Sequence, residues 1–394
     1  MVAWKDRAYL YPFVEHDSIR EKLDAVQRCR SIEKAAKELK ISIRVITRCM
    51  QKLEAKAALA GVSPEHDMTK PAPAGYYVKG TSTLYDDSGN VKQQWVKTYV
   101  DHEQRLALLR ESIIDSISDY KGSMGSVNAP KIASKDMMHL IPIGDPHIGM
   151  YAWAEEAGED FDTEIARRDL LRGVQLLMDS APSCGECVIF NAGDMFHADS
   201  MDNKTWRSGH ALDVDTRYGR VIRIGLRLMI DIVNEARKKH KSVRVISVPG
   251  NHDDHSGLWI GVALAEVFSN DKRVTVDISP SPYRYHRFGK NLFGFTHGHL
   301  AKMADLGAIM AHDKPLDWGD TVYRYWHSGH VHSRTVHDGR GWVAESHRTL
   351  AAQDAWSSGA GYRSGRDIKG ICYHREYGEV NRATLDIRAI RAMT

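Results

Sequence analysis

The chain of 394 residues is longer than a single compact core usually needs, so we expect one large domain with smaller additions. Hydrophobic residues make up 42%, which predicts a real core, and the net charge of +3 is too small to indicate a nucleic-acid partner by itself. No apolar run approaches the roughly 18 residues of a membrane helix, and the first residues lack the apolar segment of a secretion signal. With five cysteines, an odd number, these features predict a cytoplasmic protein with reduced thiols and no membrane association.

Residues 1–60 predict a small helical module that carries positive charge. Three runs with apolar residues at helical spacing follow potential capping residues, namely Asp17 or Ser18, then Ser31, then Ser42. Between residues 18 and 58 there are eleven Lys or Arg and five Asp or Glu, a concentration that the balance of the whole chain hides.

The string AAKELKISIRVITRCMQKL in this module resembles a helix-turn-helix. Lys40 stands where the turn usually has Gly, and a non-Gly residue at positive φ costs about 1 kcal/mol. The resemblance implies that the last helix presents four side chains to DNA, which are Arg44, Thr47, Arg48 and Gln51. The alternative is a three-helix bundle that binds protein or whose basic face is merely solvated.

Residues 61–121 combine a linker, a β-hairpin and a helix. The stretch SPEHDMTKPAPAG is typical of a linker, and two β-rich runs around DDSGN predict a hairpin over residues 76–99. Because a hairpin alone is barely stable, we expect it to pack on a helix from about 101 to 118. A Gly- and Ser-bearing stretch at 122–136 predicts a second linker, and the main domain follows at 137–394.

The main domain alternates strand and helix before a half that is almost all strand. Helices are expected from about 163 to 180, from about 216 to 240, and around 263–268, and short strands fill the chain from 273 to 390. This pattern predicts an α/β fold in which two sheets pack face to face with helices outside. The CxxC pair Cys184 and Cys187 precedes the second strand, and without a second pair we interpret both as strand-entry residues rather than metal or redox ligands.

Polar side chains follow five of the predicted strands, where ligands gather in α/β sheets. They are Asp145 and His147, then Asp194, then Asn251 with His252 and Asp253, then His297 and His299, and finally His330 and His332. Carboxylates, an amide oxygen and imidazoles without a thiolate suit divalent ions such as Mn, Fe or Zn. Two such ions about 3.5–4 Å apart need a shared carboxylate. We expect the glycines before Asp194, Asn251 and His330 to let the backbone turn sharply there.

These residues together resemble the five motifs of the calcineurin-like metallophosphoesterases, over about residues 136–390. The resemblance implies a four-layer α/β/β/α sandwich with two metal ions at the strand ends. It implies that Asp145, His147 and His332 hold one metal, that Asn251, His297 and His330 hold the other, and that Asp194 bridges them. It also implies that His252 stays off the metals and acts as general acid or steadies the transition-state charge. We expect Asp253 to belong to the catalytic group with His252, and His299 to support the ligands without binding the metals.

The run GDMFH, which ends at His197, resembles GDLFH of the Mre11/SbcD-type nucleases. That likeness implies that His197 orients the scissile phosphate or protonates the leaving group. The Asp-Arg-Gly of phosphoprotein phosphatases is missing, and so are the capping domain and helicase-docking segment of the nuclease group, which leaves the N-terminal module as the candidate for substrate selection. The combination also resembles metallophosphoesterases encoded by bacteriophages and prophages.

The resemblance therefore implies a DNA phosphodiesterase in which a hydroxide bridging two metal ions attacks phosphorus. Mn²⁺ is the expected cofactor, with Fe, Zn or Mg as alternatives, and exonucleolytic and endonucleolytic cleavage are both open. DNA is the expected partner, and a homodimer and contacts with other DNA-processing proteins are further hypotheses. The alternatives are a phosphatase or small-molecule (nucleotide) phosphodiesterase with an N-terminal adaptor, and a non-catalytic scaffold on the same fold.

Two segments rich in Arg and aromatic residues, 201–218 and 347–366, could bracket the cleft. They would grip a nucleotide through stacking and phosphate contacts. The alternative is that these loops pack on their own Trp and Tyr side chains.

Overall fold

A computed structural model describes residues 6–68, 76–86, 91–100, 127–131, 133–205, 209 and 211–393. The chain divides into two compact units, Met1–Arg110 and Glu111–Thr394, and we describe each by itself. Among the helices in the described ranges, none combines the length and the apolar content that a membrane crossing requires.

Three α-helices around a small core form most of the first unit. They are α1 (Asp17–Cys29), α2 (Ile32–Glu38) and α3 (Ile43–Leu59), preceded by a 3-10 turn at Ala8–Phe13. The core includes Leu10, Leu23, Val26, Ala35, Ile46 and Met50, all buried. Ser31 caps α2 by accepting a hydrogen bond from the Lys34 amide at 3.3 Å, as the sequence indicated, whereas the expected caps of α1 and α3 make no side-chain cap bond.

A hairpin completes the first unit. Strands β1 (Tyr76–Tyr85) and β2 (Val91–Val100) pair antiparallel, and β1 packs against α3. The Tyr85 hydroxyl donates to Asp67 Oδ2 at 2.9 Å and fixes the end of β1. The predicted helix from about 101 to 118 lies outside the described residues, as do the first residues of the predicted linker at 122–136.

Two sheets face each other in the second unit, which confirms the predicted α/β sandwich. One sheet has the order β13-β12-β3-β4-β5-β6 and the other has the order β10-β11-β9-β8-β7. The strands of the first are β3 (Ser134–Ile143), β4 (Cys184–Asn191), β5 (Ser242–Ser247), β6 (Val274–Asp277), β12 (Asp367–His374) and β13 (Gly378–Asp386). Those of the second are β7 (Arg284–Phe288), β8 (Asn291–Phe295), β9 (Tyr323–Ser328), β10 (Val336–Gly339) and β11 (Trp342–Ser346). The core between them includes Leu140, Val188, Ile246, Phe293 and Phe295, all buried.

Helices cover the outer faces of both sheets. The first sheet carries α5 (Thr163–Ser180), α6 (Tyr218–Lys239) and α7 (Ser256–Val267), and the second carries α8 (Leu306–Asp313) and α9 (Pro315–Asp320). Three shorter pieces are α4 (Ala154–Ala157), α10 (Ala355–Gly359) and α11 (Ile387–Ala392). Our sequence interpretation expected little helix after residue 273, so it did not predict α8 and α9, and it wrongly assigned α11 to a strand. Helices of six to eight residues are too short to show a helical period.

The strand directions bring the ends of both sheets together. In the first sheet β3, β4 and β5 run parallel, and in the second β8 runs parallel to β9. Each of these strands ends a few residues before one of the predicted ligands. The carboxyl ends of parallel strands lie at one edge, so the fold gathers these residues by strand direction alone.

Candidate metal centre

Left-handed backbone marks the predicted ligands. Among the described residues, nine non-glycine residues have positive φ, and five of them are Asp145 (43°), His147 (47°), Asp194 (48°), His330 (71°) and His332 (50°). Each such conformation costs roughly 1–3 kcal/mol and persists where the surrounding structure holds it. The strain therefore concentrates at this edge of the sandwich, as it does at functional sites.

Two glycines are needed here for a reason that differs from our expectation. Of the three glycines that precede Asp194, Asn251 and His330, Gly193 alone has a positive φ, of 92°. At Gly250 a Cβ would lie 2.0 Å from Asp194 Oδ1, and at Gly329 a Cβ would lie 2.7 Å from Asp145 Oδ2. The space beside these two glycines is thus occupied by carboxylates, so close approach rather than a sharp turn explains them.

His297 has four oxygens around its ring nitrogens, of which Asp145 Oδ1 lies 3.4 Å from Nδ1. Its Nδ1 donates to the Ala192 carbonyl at 2.7 Å, while its Nε2 lies 3.0 Å from Asn251 Oδ1 and 3.3 Å from Asp194 Oδ2. Since the neutral ring already carries its proton on Nδ1, Nε2 would meet two oxygens with a bare lone pair. Burial alone would lower the pKa of His297, but the charges of Asp194 and Asp145 raise it to about 10. This cluster of donors needs a positive charge at its centre, and a divalent cation supplies one.

Asp145 is fully buried at the end of β3. Its two oxygens accept from the His330 amide at 3.1 and 3.0 Å, and Thr349 donates its hydroxyl to the Asp145 carbonyl at 2.6 Å. Burial raises the pKa of Asp145 to about 8, against the lowering effect of His297. A buried carboxylate of this kind is stabilised in its charged form by a cation.

Imidazoles crowd the other side of the centre. His147 Nε2 lies 3.1 Å from His332 Nε2, and His147 Nδ1 lies 3.3 Å from His197 Nδ1. Burial lowers the pKa of His332 to about 4 and that of His197 to about 3, so both rings are neutral near pH 7. Among the described residues the buried Nε2 of His197 has no hydrogen-bond partner. Neutral imidazoles with converging nitrogens are the usual ligands of transition metals.

Asp194 lies between the two sides. Its Oδ1 accepts from the His252 amide at 2.8 Å, its Oδ2 faces His297, and its backbone carbonyl accepts from the His147 amide at 3.0 Å. Burial opposes its charge, but the surrounding histidines hold the pKa of Asp194 well below its usual range. An ionised carboxylate in this position fits the bridging role that the sequence predicted.

Of the residues predicted to be catalytic, His252 lies beside His197, whereas Asp253 is bonded to backbone amides. His252 Nδ1 donates to the His197 carbonyl at 2.9 Å, and the two rings stack with centroids 5.5 Å apart. Asp253 is fully buried and accepts from the amides of Asp194 and Gly250 at 3.0 and 2.9 Å, and from that of Phe196 at 3.3 Å. Both of its oxygens are therefore occupied by backbone groups, and we assign Asp253 to positioning rather than to catalysis.

The other predicted residues lie as follows. The His299 ring is 5.1 Å from that of His297 and 6.0 Å from that of His330, behind the ligands. In the first unit Arg44, Arg48 and Gln51 of α3 are exposed, whereas Thr47 donates its hydroxyl back to the Ile43 carbonyl at 3.0 Å.

Sequence reasoning missed Asp199 and Thr349. Asp199 receives hydrogen bonds from the His255 amide at 2.8 Å and the Ser256 amide at 2.9 Å, and so fixes the start of α7 beside the loop of residues 250–253. The available sequence signal for Asp199 was its position two residues after the GDMFH run. No sequence signal pointed to Thr349, because its partner is the backbone carbonyl of Asp145, which is distant in the sequence.

A third buried group, His139, Cys187 and His240, also has its possible ligand atoms within 4.8 Å of one another. The Cys184 amide donates to His240 Nδ1 at 3.1 Å, so the ring proton of His240 is on Nε2, which lies 3.2 Å from His139 Nδ1. Burial lowers the pKa of His139 to about 4 and that of His240 to about 3. The geometry is that of a neutral hydrogen-bonded pair and leaves no lone pair on His240 for a cation.

No family model matches the sequence, and no curated protein matches it. Solved structures do match. A predicted phosphoesterase from Streptococcus pneumoniae TIGR4 is 11% identical, with 64% of this chain and 98% of that chain covered, at a TM-score of 0.26. Vps29 with zinc from Entamoeba histolytica is 12% identical, with 64% and 99% covered, at 0.27. A 5'-nucleotidase from Candida albicans is 7% identical, with 68% and 55% covered, at 0.33. At such scores these matches carry no argument, and the function rests on the site itself.

Proposed function

We propose that this protein is a dimetal phosphodiesterase that hydrolyses DNA. The observation that carries the proposal is the convergence of buried carboxylate, amide and imidazole donors at one edge of the sandwich. The donors are Asp145, His147 and His332 for one ion, Asn251, His297 and His330 for the other, and Asp194 between them. Oxygen and nitrogen donors without a thiolate favour Mn²⁺, with Fe, Zn and Mg as competitors.

When bound, two divalent cations supply an activated water and neutralise the charge that develops on the phosphate. His147 determines which ring nitrogen of His197 carries the proton. If His147 binds a cation through Nε2, its Nδ1 carries the proton and donates to His197 Nδ1 across 3.3 Å. His197 then carries its own proton on Nε2, the buried atom without a partner among the described residues. That N–H is a donor for a phosphate oxygen, so the geometry favours an orienting role for His197.

His252 is the better proton donor to the leaving group. Its Nδ1 is held by the His197 carbonyl, which leaves Nε2 as the atom that delivers a proton to the departing sugar oxygen. Its backbone amide is held by Asp194, so the ring stays beside the ligands. General acid catalysis of this kind contributes about 10²–10⁴-fold.

The first unit supplies the proposed DNA contact. α3 exposes Arg44, Arg48 and Gln51 on one helix, and the sequence around it has an excess of positive charge. Basic side chains on an exposed helix neutralise phosphates and give affinity that falls with salt. Replacing Arg48 by Ala should weaken DNA binding and lower the slope of log affinity against log salt by about 1, while Arg20→Ala on α1 serves as control. Unchanged affinity and slope in Arg48→Ala would argue for the protein-binding alternative.

A substrate panel tests the chemistry. We expect the full chain with Mn²⁺ to hydrolyse bis-p-nitrophenyl phosphate and DNA, and Asp194→Asn to abolish both. Asp338→Asn, an exposed carboxylate on β10, is the matched control and should keep full activity. Turnover of only the monoester p-nitrophenyl phosphate would establish a phosphatase instead, and the absence of bound metal together with inactivity in Mn²⁺, Mg²⁺ and Zn²⁺ would establish a scaffold.

A further inference from the structure

Of the five large aromatic side chains that are exposed in the described part of the second unit, four lie on the segments 151–153 and 356–362. Tyr151 is 47% exposed, Trp153 is 45%, Trp356 is 67% and Tyr362 is 55%. By contrast, the aromatic side chains of the sandwich core, such as Trp326 and Phe293, are completely buried. Exposed aromatic side chains that lie together mark a binding site more often than single exposed residues do.

Both segments that carry these aromatics start at the metal centre. Tyr151 and Trp153 follow His147 closely in the sequence, and the Tyr151 amide is fixed by the Asp213 carbonyl at 3.0 Å. Trp356 lies seven residues after Thr349, whose hydroxyl donates to the Asp145 carbonyl at 2.6 Å. The aromatic group is therefore continuous with the proposed catalytic site.

Hydrogen bonds join and stiffen the two segments. The Ser358 hydroxyl donates to the Glu156 carbonyl at 3.2 Å, which ties α10 to α4 directly after Trp153. Asp354 caps α10 by accepting from the Ser357 amide at 2.8 Å. Arg363 donates to the Tyr362 carbonyl at 2.7 Å and to the Ser358 carbonyl at 3.2 Å, and so closes the loop on itself.

The rings of Trp356 and Tyr362 pack against each other. The centroids of Trp356 and Tyr362 lie 5.9 Å apart with planes inclined at 32°, so one ring supports the other and leaves a face open. The guanidinium of Arg363, bonded to the Tyr362 carbonyl, adds a positive charge to the same loop. A flat aromatic face with a cation, next to a site that binds a phosphate, matches a nucleotide base and its phosphate.

We propose that Tyr151, Trp153, Trp356 and Tyr362 form a platform on which an unpaired base next to the scissile phosphate stacks. A base inside a duplex already stacks on its neighbours, so a platform of this kind takes a base from a single strand or from a frayed end. The inference rests on the proposed DNA hydrolysis and adds to it a preference for single-stranded DNA. Stacking of this kind changes affinity by roughly ten-fold per base.

The experiment compares three substrates with the full chain and Mn²⁺. They are a single-stranded oligonucleotide, the same strand with abasic residues, and a blunt duplex. We expect wild-type kcat/KM to be roughly ten-fold higher for the base-bearing strand than for the abasic strand, and higher for single strand than for duplex. In Trp356→Ala the ratio of base-bearing to abasic substrate should fall to near one, mainly through KM.

Two variants separate stacking from folding. Trp356→Phe keeps an aromatic face and should retain most of the preference, whereas Tyr377→Ala, 69% exposed at the β12–β13 turn, should leave it unchanged. If oligonucleotides are cut but Trp356→Ala keeps the wild-type ratio, or duplex and single strand are cut equally, the platform is wrong and the DNA function stands. If only bis-p-nitrophenyl phosphate is cut, DNA hydrolysis itself is overturned, and the platform with it.

Discussion

The Nε2 atom of His147 lies 3.1 Å from the Nε2 atom of His332, although 185 positions separate the two residues in the sequence. Two ring nitrogens at this distance repel unless a proton or a cation lies between them. Both residues have left-handed backbone, with φ of 47° and 50°, which aims the rings at a common point.

Replacing His252 by Ala should lower kcat by about 10²–10⁴-fold with little change in bound metal, because the ring delivers a proton and holds no ion in our proposal. Metal content is measured together with steady-state kinetics on bis-p-nitrophenyl phosphate. His312→Ala, whose side chain is 89% exposed, is the control and should behave as wild type. Loss of metal in His252→Ala would identify the residue as a ligand instead.

Replacing Gly250 by Ala should disrupt the centre. The new Cβ would lie 2.0 Å from Asp194 Oδ1 and 2.3 Å from the Asp194 amide nitrogen, so the bridging carboxylate must move. We expect activity to fall by at least about 10²-fold, since small displacements of catalytic groups have effects of this size. Gly319→Ala in α9 is the matched control, because nothing lies within 4 Å of its Cβ. Wild-type activity in Gly250→Ala would contradict the position of Asp194.

Replacing Lys40 by Gly should stabilise the first unit by about 1 kcal/mol. Lys40 joins α2 to α3 with φ of 53°, a conformation that glycine adopts without the Cβ penalty. Thermal unfolding followed by calorimetry measures the effect. Lys37→Gly, in the last turn of α2, should destabilise the same unit by up to about 1 kcal/mol, and the two substitutions should not shift the transition in the same direction.

The His139–His240 pair should make the second unit acid-sensitive. Burial lowers the pKa of His139 to about 4 and that of His240 to about 3, so below pH 6.5 the unfolded chain binds more protons than the folded chain. Stability is therefore complete above pH 6.5 and falls as the pH drops toward 4, by on the order of 3 kcal/mol for His139.

Urea unfolding with a chelator from about pH 7.5 to about pH 4.5 measures this dependence. His139→Asn keeps an acceptor for His240 but cannot titrate, so it should make the curve less steep. A residual slope should come from His197 and His332, because burial also lowers their pKa values. His312→Asn, at an exposed position, should leave the slope as in wild type. An equally steep curve in His139→Asn would place the titrating groups elsewhere.

The sequence predicts the fold, and it predicts that the expected ligands lie close together, because both follow from strand direction. Asp145, Asp194 and His297 each follow a parallel strand, and parallel strands end at one edge. The sequence does not predict what holds those ligands. Gly250 is needed because the carboxylate of Asp194, which follows another strand, occupies the space beside it. Asp145 is held by a hydrogen bond from the amide of His330. Such contacts join segments distant in the chain, and no local pattern reports them.

The hydrogen bonds from the His330 amide to both oxygens of Asp145 have a consequence for translation of the chain. A ribosome makes Asp145 early and His330 late, so during most of translation the first acidic residue of the pocket has nothing to hold it. Nascent chains, and chains released before His330, lack the assembled pocket. In our proposal, hydrolysis of DNA therefore begins only when translation is nearly finished.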